Sequence, residues 1–154
     1  MPCLAGNCGP AGILTQVAIF KDRQHTTQFA APASAGVPPP ALPIYMALFD
    51  TGAGGTCVSP KVVTDLGLAP IAKVDMISAS HVAPTNQYIF SVGFPIGVMQ
   101  APTGVIAGTM SMFENIAGLE FQPAGAVYDV LLGRDILMRG ALTLDYTGHW
   151  SFSF

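Results

Sequence analysis

The stretch ALFDTGAGGTCVSPKVV, residues 47–63, places the carboxylate of Asp50 at the end of an apolar run and follows it at once with Thr-Gly-Ala-Gly-Gly. Apolar residues resume at Cys57. A carboxylate in this position is either a turn residue that accepts local backbone N–H groups or a reacting group. Asp-Thr-Gly alone does not decide between them, because at average residue usage the triplet arises by chance in roughly 3% of chains this long.

The composition limits the classes of protein to which the chain can belong. Its 154 residues fit a single domain, 51% of them are hydrophobic, and only 10% are charged. Soluble domains usually carry about 25% charged residues. Much of the surface is therefore expected to be neutral or apolar, which favours self-association. The six basic residues are scattered and form no cluster that could follow a phosphate backbone, so nucleic acid is not an expected partner.

Cysteine usage and the apolar segments bear on localisation and metal binding. Three cysteines cannot complete a disulfide framework, and the N-terminus has no signal-peptide pattern, so a cytoplasmic location is weakly favoured. Cys3 and Cys8 have no further ligand nearby, so residues 1–12 are predicted to be a loose N-terminal arm with no metal. Residues 94–113 are interrupted by prolines and polar residues and do not predict a membrane span. No sequence motif implies a cofactor.

Strand signals outnumber helix signals along the chain. Short segments rich in β-branched and aromatic residues, bounded by turn residues, predict strands at 13–20, 44–49, 87–92, 104–113, 127–132, 141–146 and 149–154. Two short helices are predicted: one begins at Pro60 with Ser59 as its cap and ends at Gly67, and the other runs from about Arg134 to Arg139. Residues 21–43 are proline-rich and predict a long surface loop within a domain of residues 13–154.

A second motif, YDVLLGRDIL at residues 128–137, changes the interpretation of Asp50. It offers an apolar strand that can lie beside the acid-bearing loop, and Gly133 permits close backbone approach. The order of acid loop, helix, hairpin, apolar pair with glycine, helix and final strand resembles the retropepsin-like aspartic proteases. The resemblance covers about residues 13–154 and is carried by FDTGA, TCVSPKVVTDLGL, DVLLGRDIL and LTLDYTGHWSF. It implies a mainly β, closed-barrel-like fold.

The resemblance assigns roles to residues of the loop and of the segment behind it. Asp50 matches the catalytic aspartate, Thr51 the hydroxyl that braces the partner's loop, Gly52 the tight turn and Ala53 the small residue beside the substrate. The segment that supports the loop matches Leu131, Leu132 and Gly133. Retroviral relatives often carry an acid where this chain has Gly54 and Gly55, so Arg134, which helps to hold the dimer in that family, needs another partner here.

One aspartate per chain implies a two-fold homodimer. Aspartic proteolysis uses two carboxylates about 3 Å apart that share one proton, and the chain has no second Asp-Thr-Gly or Asp-Ser-Gly. The resemblance therefore implies an aspartic endopeptidase whose substrate is an extended polypeptide. The apolar C-terminal WSFSF is interpreted in two ways: as an edge strand that pairs with the partner chain, or as ordinary core packing.

The family closes a hairpin flap over its substrate, and by position this flap should lie near residues 77–92. Its tip is predicted at Val82, Ala83, Pro84, Thr85 and Asn86, where no glycine is present. Because flap tips are usually glycine-rich, an alternative interpretation is a retropepsin-like dimerisation or peptide-binding module with weak or no turnover. A further alternative is a protease segment of a longer chain.

Other reaction classes lack their motifs. GAGGTC begins like a dinucleotide-binding loop but has no third glycine and no long helix after it. There is no Walker lysine, His-Glu-x-x-His or Gly-x-Ser-x-Gly motif. Cys57 is interpreted as a small buried residue rather than a nucleophile, and structural roles are expected for Asp129 and Asp145.

Overall fold

The computed structural model describes residues 1–21, 42–77, 82–100, 106–123 and 125–154. The proline-rich loop predicted at 21–43 lies almost entirely outside them. The described part of the chain contains ten strands: β1 (Cys3–Asn7), β2 (Leu14–Phe20), β3 (Ile44–Phe49), β4 (Cys57–Val58), β5 (Ala72–Ile77), β6 (Val82–Gln100), β7 (Ile106–Glu120), β8 (Val130–Leu132), β9 (Ala141–Leu144) and β10 (His149–Ser153). It also contains two helices, α1 (Pro60–Leu66) and α2 (Arg134–Leu137).

Six strands close into a barrel. Their hydrogen-bonded order is β2-β3-β8-β4-β7-β6, and β6 pairs again with β2 through Ala18 opposite Gly93 and Phe20 opposite Ser91. The β2 segment Val17–Phe20 is wholly buried, since these residues face the core or are covered by neighbouring strands. The predicted mainly β, closed-barrel fold is confirmed.

The two chain termini form a separate three-stranded sheet in the order β1-β10-β9. Leu4 lies opposite Phe152 and Gly6 opposite Trp150, with antiparallel pairing throughout. The prediction of a loose N-terminal arm is therefore wrong, because residues 3–7 are held in a ladder with the last strand. Of the two interpretations of the C-terminal segment, the structure does not support the edge strand: β10 is the central strand, with β1 on one side and β9 on the other.

Two of the barrel strands, β6 and β7, are longer than the sequence predicts. β6 and β7 pair over most of their length, with register shifts between Phe90 and Val92 and between Ile96 and Met99. Alternation is lost at these irregular positions, which explains why periodicity identified only part of each strand. β5 pairs with the first part of β6, from Ala72 opposite Gln87 to Ile77 opposite Val82. The sequence prediction missed β1, β4 and β5.

Helix α1 forms as its sequence predicts. Ser59 caps it by accepting a hydrogen bond from the Val62 backbone N–H, Pro60 occupies the first turn, and Gly67 ends it in a left-handed conformation with φ of 59°. The Ser59 hydroxyl also donates to Asp129 Oδ1 at 2.8 Å, which ties the helix to the segment before β8. This contact confirms the structural role expected for Asp129.

An aromatic cluster joins the terminal sheet to the barrel. The ring of Phe49 lies 5.2 Å from that of Phe152 and 5.6 Å from that of Trp150, and Phe94 stacks on Phe49 at 6.4 Å. All four side chains are buried. Because Phe49 immediately precedes Asp50, this packing fixes the strand from which the acid emerges. Core packing is the interpretation of WSFSF that the structure supports.

Candidate active site

Strand β8 lies between the two strands that flank the loop carrying Asp50. β8 runs parallel to β3, with Phe49 opposite Leu132, and antiparallel to β4, with Cys57 opposite Leu131. β3 and β4 are the strands immediately before and after residues 50–56. One short strand, which contains the apolar pair Leu131–Leu132, therefore pairs with the strands at both ends of the loop.

Hydrogen bonds within the loop fix the carboxylate of Asp50. Its Oδ1 accepts the backbone N–H groups of Gly52 at 2.8 Å and Ala53 at 3.1 Å. The backbone N–H of Asp50 donates to Leu132 O at 3.0 Å. Asp50 is half-buried, whereas Thr51 and Gly52 are exposed. The carboxylate is thus oriented by the backbone while one side of the loop stays open for a partner or a substrate.

Close backbone packing requires glycine at position 133. A Cβ at Gly133 would stand 2.3 Å from the carbonyl carbon of Gly55 and 2.4 Å from its oxygen. No side chain fits that space without displacing the loop. The next residue donates its backbone N–H to the loop, from Arg134 to Ala53 O at 3.0 Å. The structure therefore brings together all seven residues predicted for the loop and its support: Asp50, Thr51, Gly52, Ala53, Leu131, Leu132 and Gly133.

The end of the loop is fixed by a pair that sequence reasoning missed. Thr56 is completely buried, and its hydroxyl donates to Asp135 Oδ1 at 2.8 Å while its backbone N–H donates to Asp135 Oδ2 at 3.0 Å. The same hydroxyl accepts the Gly133 backbone N–H at 3.3 Å. One signal was available in the sequence: a threonine directly before a buried apolar pair needs a hydrogen-bond partner.

The residues predicted as a flap tip are not a turn. Val82 to Asn86 belong to β6 and pair with β5, so the prediction of a turn at these positions is wrong. Residues 82–86 of β6 pair with β5 on one side and are not paired with β7 on the other. Pro84 has no N–H to donate, and a strand with an unpaired edge tolerates that loss. The residues that join β5 to β6 lie outside the described ranges.

The β5–β6 hairpin is fastened to the barrel near the loop. Thr85 Oγ1 donates to the backbone oxygen of Glu120 at 2.8 Å, and the Tyr88 hydroxyl donates to Glu120 Oε2 at 2.7 Å. Asn86 Nδ2 donates to the same carboxylate oxygen at 3.2 Å. Glu120 lies opposite Val58 in the ladder between β7 and β4. The hairpin is therefore anchored two residues beyond the Thr56 end of the loop.

The surroundings of two other reactive side chains, Cys57 and Asp145, indicate structural roles. Burial raises the pKa of the Cys57 thiol to about 11, and the nearby charges of Asp135 and Asp50 act in the same direction. Cys57 therefore carries a protonated, unreactive thiol at neutral pH. Asp145 Oδ1 accepts the backbone N–H groups of Thr147 and His149, as expected of a turn residue. Among the described residues, no group of three or more His, Cys, Asp or Glu side chains could hold a metal ion.

Of the comparisons with known proteins, the one with solved structures finds similar folds. No protein family model matches the chain, and no curated protein matches its sequence. Among solved structures, a retropepsin-like aspartic protease from Rickettsia conorii superposes with a TM-score of 0.57 at 14% identity, covering 97% of this chain and 89% of that one.

Two further solved structures are similar with lower TM-scores. The retroviral protease-like domain of Ddi1 from Leishmania major has a TM-score of 0.34 at 16% identity and covers 67% of this chain and 73% of that one. EIAV protease in complex with the inhibitor HBY-793 has a TM-score of 0.32 at 19% identity and covers 82% of this chain and 86% of that one.

The closed barrel and the likeness to the Rickettsia structure define the class to which the fold belongs. This chain has the fold of the retropepsin-like aspartic proteases. None of the helices in the described ranges is long and apolar enough to cross a membrane.

Proposed function

We propose that this chain is an aspartic endopeptidase that hydrolyses extended polypeptides as a two-fold homodimer. The observation that carries the proposal is the placement of Asp50: a half-buried carboxylate, oriented by two backbone N–H groups, on a loop whose other side is open. The retropepsin fold supports it, and the sequence resemblance matches Asp50 to the catalytic aspartate of that family. The sequence contains this Asp-Thr-Gly loop once, so the second carboxylate has to come from a second copy.

The chemistry follows from two carboxylates held close together. Because two negative charges about 3 Å apart repel each other strongly, the two Asp50 side chains share one proton. The ionised carboxylate removes a proton from a water molecule as the water attacks the peptide carbonyl, and the protonated carboxylate donates a hydrogen bond to the carbonyl oxygen. Because the reaction needs one ionised and one protonated carboxyl group, hydrolysis should fall at higher pH once the shared proton is lost.

The exposed side of the loop is compatible with a facing copy. Thr51 is exposed, and its hydroxyl forms no hydrogen bond with the described residues, so it is available to brace a partner's loop. Both edges of β10 are already paired, so a partner strand would have to add to β1 or β9 instead. The proposed substrate is an extended peptide that lies across the dimer cleft as an added strand.

A peptide-binding module without turnover is the second candidate. The observation that favours it is the absence of glycine between Gly67 and Gly93, a range that contains the β5–β6 hairpin. A hairpin without glycine is less able to open and close over a substrate. Such a module would bind extended peptides in the same cleft and leave them intact.

In the decisive experiment, a denatured peptide library is incubated with the protein at mildly acidic to neutral pH. Mass spectrometry then detects new peptide termini. Wild-type protein should cleave and Asp50→Asn should not. Asp65→Asn is the matched control, since it removes a carboxylate from the exposed face of α1, where Asp65 pairs with Lys61. Cleavage that survives in Asp50→Asn would overturn the proposal, and peptide binding without cleavage would favour the second candidate.

Subunit mixing tests the shared dyad directly. If both carboxylates are required, adding about a threefold excess of Asp50→Asn to a fixed amount of wild-type protein should lower activity to about a quarter, because most wild-type chains then sit in mixed dimers. A monomeric enzyme would lose nothing. Sedimentation should show a two-chain species at micromolar concentration, and a monomer at every accessible concentration would contradict the dimer.

A further inference from the structure

Arg134 holds a positive charge against the loop of Asp50. Its backbone N–H donates to Ala53 O at 3.0 Å, and its Nη2 atom lies 3.7 Å from the position that a Cβ on Gly54 would occupy. The side chain is exposed to solvent. The guanidinium therefore lies beside the residues that directly follow the Asp-Thr-Gly triplet.

No carboxylate of the described chain neutralises this guanidinium. The one ion pair between described residues joins Lys61 and Asp65. The adjacent acid, Asp135, uses its two carboxylate oxygens to hold Thr56. Residues 54 and 55 are both glycine, so these two positions of the loop carry no side chain that could cover or pair with the arginine.

The other acids in the described part of the chain offer few alternatives. Five described carboxylates are engaged within the chain. Asp65 pairs with Lys61, Glu120 accepts from Tyr88, Asp129 from Ser59, Asp135 from Thr56, and Asp145 from the 145–149 turn. Apart from Asp50, this leaves Asp75 and Glu114 among the described acids. The described part of a second copy therefore has few unengaged carboxylates to offer Arg134, whereas a peptide in the cleft can supply one.

We propose that Arg134 is a specificity residue that binds a carboxylate side chain of the substrate, so that the preferred substrates are peptides with a glutamate or aspartate near the scissile bond. The inference rests on the proposed function, because it places the peptide against the Asp50 loop. A guanidinium presents donors in a planar fork that matches a carboxylate, and it cannot lose its charge at ordinary pH. The missing side chain of Gly54, whose Cβ would lie 3.7 Å from Arg134 Nη2, leaves that fork open from the loop side.

The test compares paired peptides that differ only by glutamate or glutamine, with the residue moved through each position around one cleavage site. Wild-type protein should prefer the glutamate peptide at one position, measured as the ratio of kcat/KM values. Arg134→Gln should lower that ratio by roughly threefold to tenfold, the range expected for one charge-assisted contact in a partly exposed site. Arg134→Glu should instead prefer a peptide with lysine at that position over the glutamate peptide.

Arg139→Gln is the matched control. It removes the same charge just beyond α2, where the Arg139 guanidinium lies 5.5 Å from the ring centre of Phe113 and its Nε donates to Asp135 O. The glutamate preference should be unchanged in this variant. A preference that falls equally in both variants would reflect net charge alone and would overturn the proposal.

Measurements of peptide binding distinguish this inference from the proposed function. Asp50→Asn should bind the glutamate peptide more tightly than the glutamine peptide, measured by fluorescence anisotropy of labelled peptides. If wild-type protein binds with this preference but never cleaves, the endopeptidase is wrong and the role of Arg134 stands. If peptides are cleaved with no acidic preference at any position, the role of Arg134 is wrong and the endopeptidase stands. Arg134 variants that weaken only the dimer would assign the arginine to the partner chain and overturn the inference.

Discussion

Both carboxylate oxygens of Asp135 accept hydrogen bonds from Thr56, one from its hydroxyl at 2.8 Å and the other from its backbone N–H at 3.0 Å. The two residues are 79 positions apart in the sequence. The pair closes the Asp50 loop at its far end, while Leu132 O and Asp50 N close it at the near end at 3.0 Å. The geometry of the acid thus depends on a polar pair that does not itself face the open side of the loop.

Removing the Thr56 hydroxyl should destabilise the fold. Thr56→Val keeps the shape of a completely buried side chain but leaves Asp135 Oδ1 and the Gly133 N–H with one partner fewer. The expected loss in the free energy of unfolding is about 1–3 kcal/mol, the usual cost of an unsatisfied buried polar group. Urea denaturation at fixed protein concentration measures it.

Thr64→Val is the matched control for this change. The Thr64 hydroxyl donates to Pro60 O on the exposed face of α1, so its loss should change stability by no more than about 0.5 kcal/mol. Equal losses in the two variants would mean that the contact between Thr56 and Asp135 carries no special weight.

A methyl group at position 133 should displace the loop. The Cβ of Gly133→Ala would meet Gly55 backbone atoms at 2.3 and 2.4 Å, so the backbone has to move. Overpacking of this kind costs about 1–3 kcal/mol, and a misplaced catalytic group can cost about 100-fold in rate. We expect both a lower urea midpoint and a large loss of kcat/KM on a cleaved peptide.

Gly54→Ala tests whether the effect is specific to the close approach. Its Cβ would lie 3.7 Å from Arg134 Nη2, an ordinary contact, and its stability should stay close to that of the wild type. A Gly133→Ala variant that is as stable as Gly54→Ala would show that the loop tolerates a wider separation from β8.

Stability should decline in alkali because of Cys57. Burial raises the pKa of its thiol to about 11 in the folded chain, above its ordinary value of 9.0. The folded chain therefore binds the proton more tightly than the unfolded chain between these values. The stability that the neutral thiol contributes is complete below pH 9.0 and is lost as the pH rises toward 11.

The urea midpoint of Cys57→Ala should therefore fall less than that of the wild type between about pH 8 and pH 11. Cys3→Ala is the control, since Cys3 is exposed, and its midpoint should fall as much as that of the wild type. Burial and Asp65 raise the pKa of the Tyr45 hydroxyl to about 12. Because every variant retains Tyr45, every variant should still lose some stability in alkali. Parallel pH profiles for wild type and Cys57→Ala would contradict the prediction.

Local signals were sufficient for several elements. Ser59, Pro60 and Gly67 specify the start and end of α1, because capping, a fixed φ and a left-handed turn depend only on neighbouring residues. The sequence motifs also named residues that the structure brings together, the Asp50 loop and the apolar pair with Gly133, while their roles in catalysis stay a prediction. The predicted turn at 82–86 failed because strand pairing with β5 overrode the turn propensity of Pro84 and Asn86.

The sequence by itself determined the mainly β character, the capped helix and the chemical identity of the loop, because these depend on composition, periodicity and adjacent residues. Tertiary structure alone decided which groups meet: Asp135 with Thr56, Gly133 with Gly55, and β10 between β1 and β9. Contacts between residues far apart in the chain depend on how the strands are ordered and registered around the barrel. That order is set by burial of the whole apolar core, which no local pattern records.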